Sequence, residues 1–98
     1  MSNYVDIRGG NQIAGGVMSF EAANTVTQFP NIPCREATVI AKRTNTDSIY
    51  LGASDMSSSA YLVQLNANES FTFTVSNVNI IYGMSAVAGG GVTIVAIQ

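Results

Sequence analysis

The sequence predicts an all-β protein: an antiparallel β-sandwich, for which a jelly roll is one candidate topology, preceded by an extended glycine-rich N-terminal arm. Three observations lead to this prediction. Apolar and polar residues alternate with a period of two in several short segments, as half-buried strands require. Asn, Asp, Gly and Pro separate those segments at short intervals. A helical pattern has no support beyond a single turn around residues 21–23.

The chain of 98 residues is expected to fold as one sandwich domain, residues 21–98, after an arm of residues 1–20. A chain of this size is just long enough to form a core of its own. Four glycines between residues 9 and 16 leave the arm without a helical face. Two interpretations stay open for it: a frayed terminus, or an arm that lies on a neighbouring subunit.

The first strand of the domain is expected within residues 22–29, because Pro30 cannot continue a ladder. Residues 33–52 then predict a β-hairpin that turns at residues 45–47, Asn-Thr-Asp. Ile40 is the exception to the alternation, an apolar residue on the otherwise polar face. The apolar face of the predicted hairpin consists of Ala37, Val39, Ala41, Ile49 and Leu51.

The second half of the chain predicts a serine-rich loop at residues 55–60 and four more strands. Phe71 and Phe73 alternate with threonines, so both are expected to be buried and to give the core its bulk. Asparagines and glycines supply the turns between these strands. The four strands are expected at residues 61–65, 70–76, 80–86 and 92–97.

The last strand is apolar on both faces, since Val95 and Ile97 alternate with Val92, Ile94 and Ala96. Such a strand must be covered on both sides, whereas a small sandwich has only one inner layer. Either the arm or another subunit is therefore expected to cover its second face. The candidate contact residues are Val5, Ile7, Ile13, Val95 and Ile97.

Charged residues make up 10% of the chain, against a usual share of about 25%, and the formal net charge is -2. Only Lys42 and Arg43 are adjacent basic residues, which is too little for a nucleic-acid backbone. Residues 70–98 carry no charge, but polar residues and three consecutive glycines interrupt them, unlike a membrane helix. Neither a nucleic acid nor a membrane is therefore expected as a partner.

No catalytic constellation, cofactor motif or metal motif is found. Histidine is absent, so Cys34, the single cysteine, lacks its usual base and is expected to be a small buried side chain. The turn residues Asp47, Asp55 and Glu69 could gather at one end of the sandwich and bind Ca²⁺, but their spacing matches no known loop. Solvated turn carboxylates are the favoured interpretation, and the protein is not expected to be an enzyme.

Part of the chain resembles small virion proteins of tailed bacteriophages. The residues concerned are Pro33-Cys34 before a strand, Thr44-Asn45 leading into Ile49-Tyr50-Leu51-Gly52, Leu65 followed by Asn68-Glu69-Ser70, and residues 78–83. The resemblance covers about residues 32–97. It implies a decoration or cement protein of the capsid: a compact sandwich that assembles as a trimer and clamps subunits of the major capsid protein.

That resemblance also implies a location on the capsid surface of the virion, after synthesis in the host cytoplasm. The alternative function is a carbohydrate- or receptor-binding module of a phage tail or fibre. Residues 55–61 and the tyrosines would then contact glycans, although the tyrosines are dispersed in the sequence. A small hydrolase is disfavoured because the chain offers no acid–base pair.

Overall fold

The computed structural model describes residues 13–98, and these residues form a β-sandwich of two four-stranded antiparallel sheets, as predicted. Within this range the one helix is a three-residue 3₁₀ turn, Val78–Ile80, and no helix is long enough to cross a membrane. The strands are β1 (Ile13–Phe20), β2 (Thr27–Gln28), β3 (Glu36–Ala41), β4 (Ile49–Gly52), β5 (Val63–Leu65), β6 (Ser70–Phe73), β7 (Tyr82–Ser85) and β8 (Gly90–Ile97).

The strand order is β1-β8-β3-β6 in the first sheet and β2-β7-β4-β5 in the second. Consecutive strands therefore lie in different sheets, except for β4 and β5. This interleaved order of eight strands in two sheets is that of a jelly roll. It pairs the two ends of the described chain, because β1 and β8 run antiparallel over eight residue pairs.

The core lies between the two sheets. Phe20 and Phe29, each 2% exposed, pack with their ring centres 6.3 Å apart. Gly83 lets the Phe29 ring lie on the backbone of β7, since a Cβ there would come within 2.8 Å of that ring. The other buried apolar residues of this cluster are Ala37, Val39, Ala41, Ile49, Leu51, Leu65, Val78, Ile81, Val92, Ile94 and Ala96.

The predicted hairpin of residues 33–52 is wrong in its pairing, although both of its strands exist. β3 pairs with β6 and β8, whereas β4 pairs with β5 and β7. The connection at residues 42–48 crosses from one sheet to the other, so the two apolar faces meet across the core instead of side by side. Alternation identifies a strand and its buried face, but it does not identify the neighbour to which the strand bonds.

The described part of the predicted arm, residues 13–20, is a strand of the sandwich. Residues 13–20 form β1 and pair with β8 along their whole length, so this part of the chain is bonded into the first sheet. Gly15 permits this close approach: its φ is +136°, and a Cβ there would overlap the carbonyl oxygen of Ile94. The sequence suggested irregular structure here because glycine weakens a strand in general.

The expectation that Phe71 and Phe73 give the core its bulk is wrong for Phe71 and holds only in part for Phe73, which packs against the edge of the core cluster. Both lie on β6, which is an edge strand of the first sheet and ends at Phe73. Their rings contact each other with centres 4.9 Å apart, but Phe71 is 44% exposed and Phe73 is only partly buried. Phe20 and Phe29, which lie nearer the start of the chain, occupy the central positions instead.

Candidate functional site

Several apolar side chains lie together on the outer face of the first sheet, which points away from the core. Alternate residues of β1, β8 and β3 point away from the core, and the register brings them side by side. Ile13 is paired with Ile97, while Thr93 lies between Val17 and Ile40. We call the following set the apolar outer face: Ile13, Val17, Ile40, Val95 and Ile97.

The apolar outer face is open to solvent in the described chain. Ile13 is 69% exposed and Val17 is 65% exposed, whereas Ile40, Val95 and Ile97 are half-buried. Its surroundings are neutral hydroxyl groups together with two charged side chains of opposite sign: Glu36, and Lys42, which lies over Gly91. Such a surface suits an apolar protein partner and offers little to a highly charged one.

Three of the five predicted contact residues meet on this face. Ile13, Val95 and Ile97 occupy adjacent positions on β1 and β8, the first and last strands of the described chain. β1 does not cover β8 from outside but bonds to its edge, so no strand among residues 13–98 covers the second face of β8. Val5 and Ile7 lie outside the described residues.

Sequence reasoning missed Val17 and Ile40 as members of the same surface. Each carried a signal: Ile40 broke the alternation of its strand, and Val17 is one of the few apolar residues in a glycine-rich segment. What the sequence lacked was the register that places both beside Thr93. Register depends on long-range pairing and so is invisible in a single segment.

A second candidate site lies on the outer face of the second sheet. The rings of Tyr50 and Tyr61 have centres 4.6 Å apart and are tilted by 51°. Tyr82 occupies the same face, diagonal to Tyr50 in the pairing of β4 with β7. The tyrosines expected to be dispersed are thus gathered, except Tyr4, which lies outside the described residues. We call the adjoining space of about 300 Å³ the tyrosine cavity; it is lined by Ala53, Asp55, Met56, Ala60, Tyr61 and Leu62.

The loop that walls the tyrosine cavity has fixed anchors. Met56 is 6% exposed and packs on Gly52. Ser57 and Ala60 donate backbone hydrogen bonds to each other, at 3.0 and 3.1 Å. The Tyr61 hydroxyl donates to Oε1 of Gln64 at 3.2 Å, and Nε2 of Gln64 donates to the buried Ser48 hydroxyl at 3.0 Å. The cavity wall is therefore pre-organised, which lowers the entropic cost of binding a ligand.

The three turn carboxylates do not converge. Asp47 lines a polar cavity of about 290 Å³ at one end of the sandwich, whereas Asp55 lines the tyrosine cavity. Oε1 of Glu69 accepts a hydrogen bond from the backbone of Asn66 at 2.8 Å. Within residues 13–98, no group of three or more metal-ligating side chains is found. These three carboxylates therefore do not form a shared calcium site.

Cys34 packs against the core but is only partly buried, so the prediction of a small buried side chain holds in part. Its Sγ donates to the carbonyl oxygen of Val75 at 3.3 Å. Burial raises the pKa of the Cys34 thiol, and a backbone hydrogen bond from Glu36 offsets part of this increase. The surroundings therefore favour the neutral thiol over the nucleophilic thiolate.

Comparison of the chain with protein-family models, with curated proteins and with solved structures finds no significant match. The fold and its two outer faces are therefore the observations from which a function can be argued. The resemblance to phage virion proteins enters that argument as a hypothesis.

Proposed function

We propose that this protein is a structural virion protein that binds the outside of a bacteriophage capsid and stabilises it as a decoration or cement protein. The observation that carries the proposal is the apolar outer face, in which residues 13–98 leave Ile13 and Val17 well exposed. The proposed partners are the major capsid protein and further copies of the chain. The proposed location is the capsid surface, after synthesis in the host cytoplasm.

The energetics of the apolar outer face suit such a role. Complete burial of a Val or Ile side chain contributes about 1.5 to 3 kcal/mol. Ile13 and Val17 are well exposed, so a partner would gain most from covering these two. One copy contributes a modest affinity, but copies that bind as an oligomer engage several capsid sites together and bind much more tightly. The resemblance implies three copies.

The proposal is tested with capsids that lack their decoration protein. The variant Val17→Thr/Val95→Thr keeps side-chain shape and β propensity but replaces one methyl group of each valine by a hydroxyl group. We expect its affinity for the capsids to fall about tenfold or more, which corresponds to about 1.4 kcal/mol. Cosedimentation would measure binding, and heat resistance of the decorated particles would measure stabilisation.

Ser70→Ala is the matched control, because Ser70 is an exposed outer-face residue of the same sheet, on the far edge strand. It should bind the capsids like the native chain. Equal binding by the double variant, or no binding by the native protein, would contradict the proposal.

A second candidate function is a carbohydrate- or receptor-binding module of a phage tail or fibre. The contact between Tyr50 and Tyr61 beside a pre-organised cavity favours it, because small-ligand sites combine apolar and aromatic walls with a few polar groups. In the tyrosine cavity the Asp55 carboxylate could accept hydrogen bonds from sugar hydroxyls, while the Tyr61 ring packs on the sugar.

A glycan array separates the two candidate functions. Glycan binding that is lost in Tyr61→Ala and retained in Tyr82→Ala would favour the second, since Tyr82 does not line the tyrosine cavity. Capsid binding without any glycan binding would favour the first.

A further inference from the structure

The four edges of the two sheets differ greatly in length. The edge strands β2, β5 and β6 have two, three and four residues, whereas β1 has eight. Natural sandwiches keep edge strands short or charged because an open edge can pair with another chain. β1 has neither protection: it contains no charged residue, and among residues 13–98 only β8 is bonded to it.

Backbone hydrogen bonds of β8 show which amides and carbonyls of β1 point to its free edge. The carbonyl oxygens of Gly91 and Ile97 in β8 accept from the amides of Lys42 and Arg35, on the side of β3. The amide and carbonyl of one strand residue point to the same side, and successive residues alternate. The other residues of β8, from Gly90 to Ala96 in steps of two, therefore face β1.

The residues of β1 that bond to β8 are thus Ala14, Gly16, Met18 and Phe20. In agreement, the Phe20 carbonyl oxygen accepts from the amide of Gly89 at 2.8 Å, on the side of β8. The residues between them direct their amides and carbonyls to the free edge; these are Ile13, Gly15, Val17 and Ser19.

We propose that the free edge of β1 pairs antiparallel with β1 of a second copy of the chain, joining two sandwiches through one continuous eight-stranded sheet. An extended backbone is the occupant that such an edge recognises. A two-fold axis perpendicular to the sheet satisfies both copies at once and keeps their outer faces on the same side. The apolar outer face would then continue across the contact.

Keeping the faces aligned restricts the register. In an antiparallel pair, residues directly opposite each other point to the same face. One residue of β1 must therefore lie on the two-fold axis, opposite its own copy. The overlap of the two β1 strands is longest when that residue is Gly16 or Val17. In either register, the free amide of Ser19 bonds to the other copy, opposite Ile13 or Gly15.

This inference deepens the proposed function and takes from it only the premise that copies associate. The two claims can fail separately, because the edge contact uses backbone groups and capsid binding uses side chains of the apolar outer face. A two-fold edge contact also predicts an even number of copies: two, or six if the edges join trimers.

The decisive variant is Ser19→Pro. Proline removes an amide that faces the free edge, so the ladder with β8 stays intact, and edge strands tolerate proline at such positions. We expect native mass spectrometry to show half as many copies for Ser19→Pro as for the native chain, with the dissociation constant of the edge contact raised about 10-fold to 100-fold. Ser19→Ala keeps the amide and should assemble like the native chain.

Val17→Lys provides a second test that does not depend on how Pro is accommodated. It retains the amide but places two like charges close to the axis, so the number of copies should again be halved. A native chain with one or three copies, unchanged by both variants, would overturn edge pairing and leave the capsid proposal standing. The same follows if hydrogen exchange shows the Ser19 amide protected in a monomer.

Discussion

At the scale of single residues, the side chain of Asn45 extends a sheet beyond the end of a strand. β3 ends at Ala41, but β8 continues to Gly90. The Asn45 side chain donates from Nδ2 to the Gly91 carbonyl oxygen and accepts from the Gly91 amide at Oδ1, both at 2.9 Å. The side-chain amide of Asn45 thus makes the same two hydrogen bonds to the Gly91 backbone that a residue of a neighbouring strand would make. The sequence indicated Asn45 only as a turn residue, because its partner lies 46 positions away.

Replacing Asn45 is therefore expected to destabilise the fold more than a turn substitution does. Asn45→Ala leaves the Gly91 amide without its acceptor in a partly buried site, which should lower the free energy of unfolding by about 1 to 3 kcal/mol. Urea denaturation followed by circular dichroism would measure the change. Thr46→Ala, at the exposed neighbouring position, should change it by less than about 0.5 kcal/mol. Similar values for both variants would contradict the bridging role of Asn45.

Cys34 predicts a pH dependence at the same scale. Burial raises the pKa of the thiol in the folded chain, so over an alkaline range the unfolded chain has lost the proton that the folded chain keeps. The contribution of Cys34 to stability is thus complete below the unfolded pKa and is lost as the pH rises from the unfolded to the folded pKa. Reaction of Cys34 with an aromatic disulfide reagent should begin at higher pH in the folded protein than in urea. Coincident pH profiles would show that burial does not act on this thiol.

At the scale of elements, the alternation of residues located most strands and their buried faces, as for Ala37, Val39 and Ala41. It did not locate the partners, because residues that pair in a jelly roll are distant in the chain. The same limit concealed the candidate surface: Ile13 and Ile97 become neighbours only through the pairing of β1 with β8. The tyrosine contact was also hidden, since Tyr61 reaches Tyr50 through a loop whose shape depends on Met56 packing on Gly52.

The position of an element in its sheet also decides how much its phenylalanines contribute to stability. Phe29 follows β2 and is buried against β7, so Phe29→Ala should cost about 3 to 5 kcal/mol. Phe71 belongs to an edge strand and is 44% exposed, so Phe71→Ala should cost less than half as much. Thermal and urea unfolding of both variants would compare them. If Phe71→Ala lowered the free energy of unfolding more than Phe29→Ala, Phe71 would be the more important core residue, as the sequence pattern predicted.

At the scale of the whole molecule, the two halves of the proposed assembly use different forces. The edge of β1 offers backbone hydrogen bonds, which are directional. The apolar outer face offers apolar area, whose burial stabilises a contact in any orientation. Copies joined through β1 would present two such faces side by side to a larger surface. The low charge of the chain, with a formal net charge of -2, means that little electrostatic repulsion opposes this association.

Association of the protein with the proposed capsid partner should therefore respond to temperature more than to salt. Glu36 and Lys42, whose side chain lies over Gly91, carry opposite charges on the outer face of the first sheet, so raising NaCl from about 0.05 to about 0.5 M should change the dissociation constant less than about threefold. Burial of apolar area weakens on cooling, so binding should be weaker at about 4 °C than at about 25 °C, with a negative heat-capacity change. Titration calorimetry at several temperatures and salt concentrations would measure both effects. A steep loss of affinity with salt would instead place the contact on the scattered charges, and the apolar outer face would then not be the binding surface.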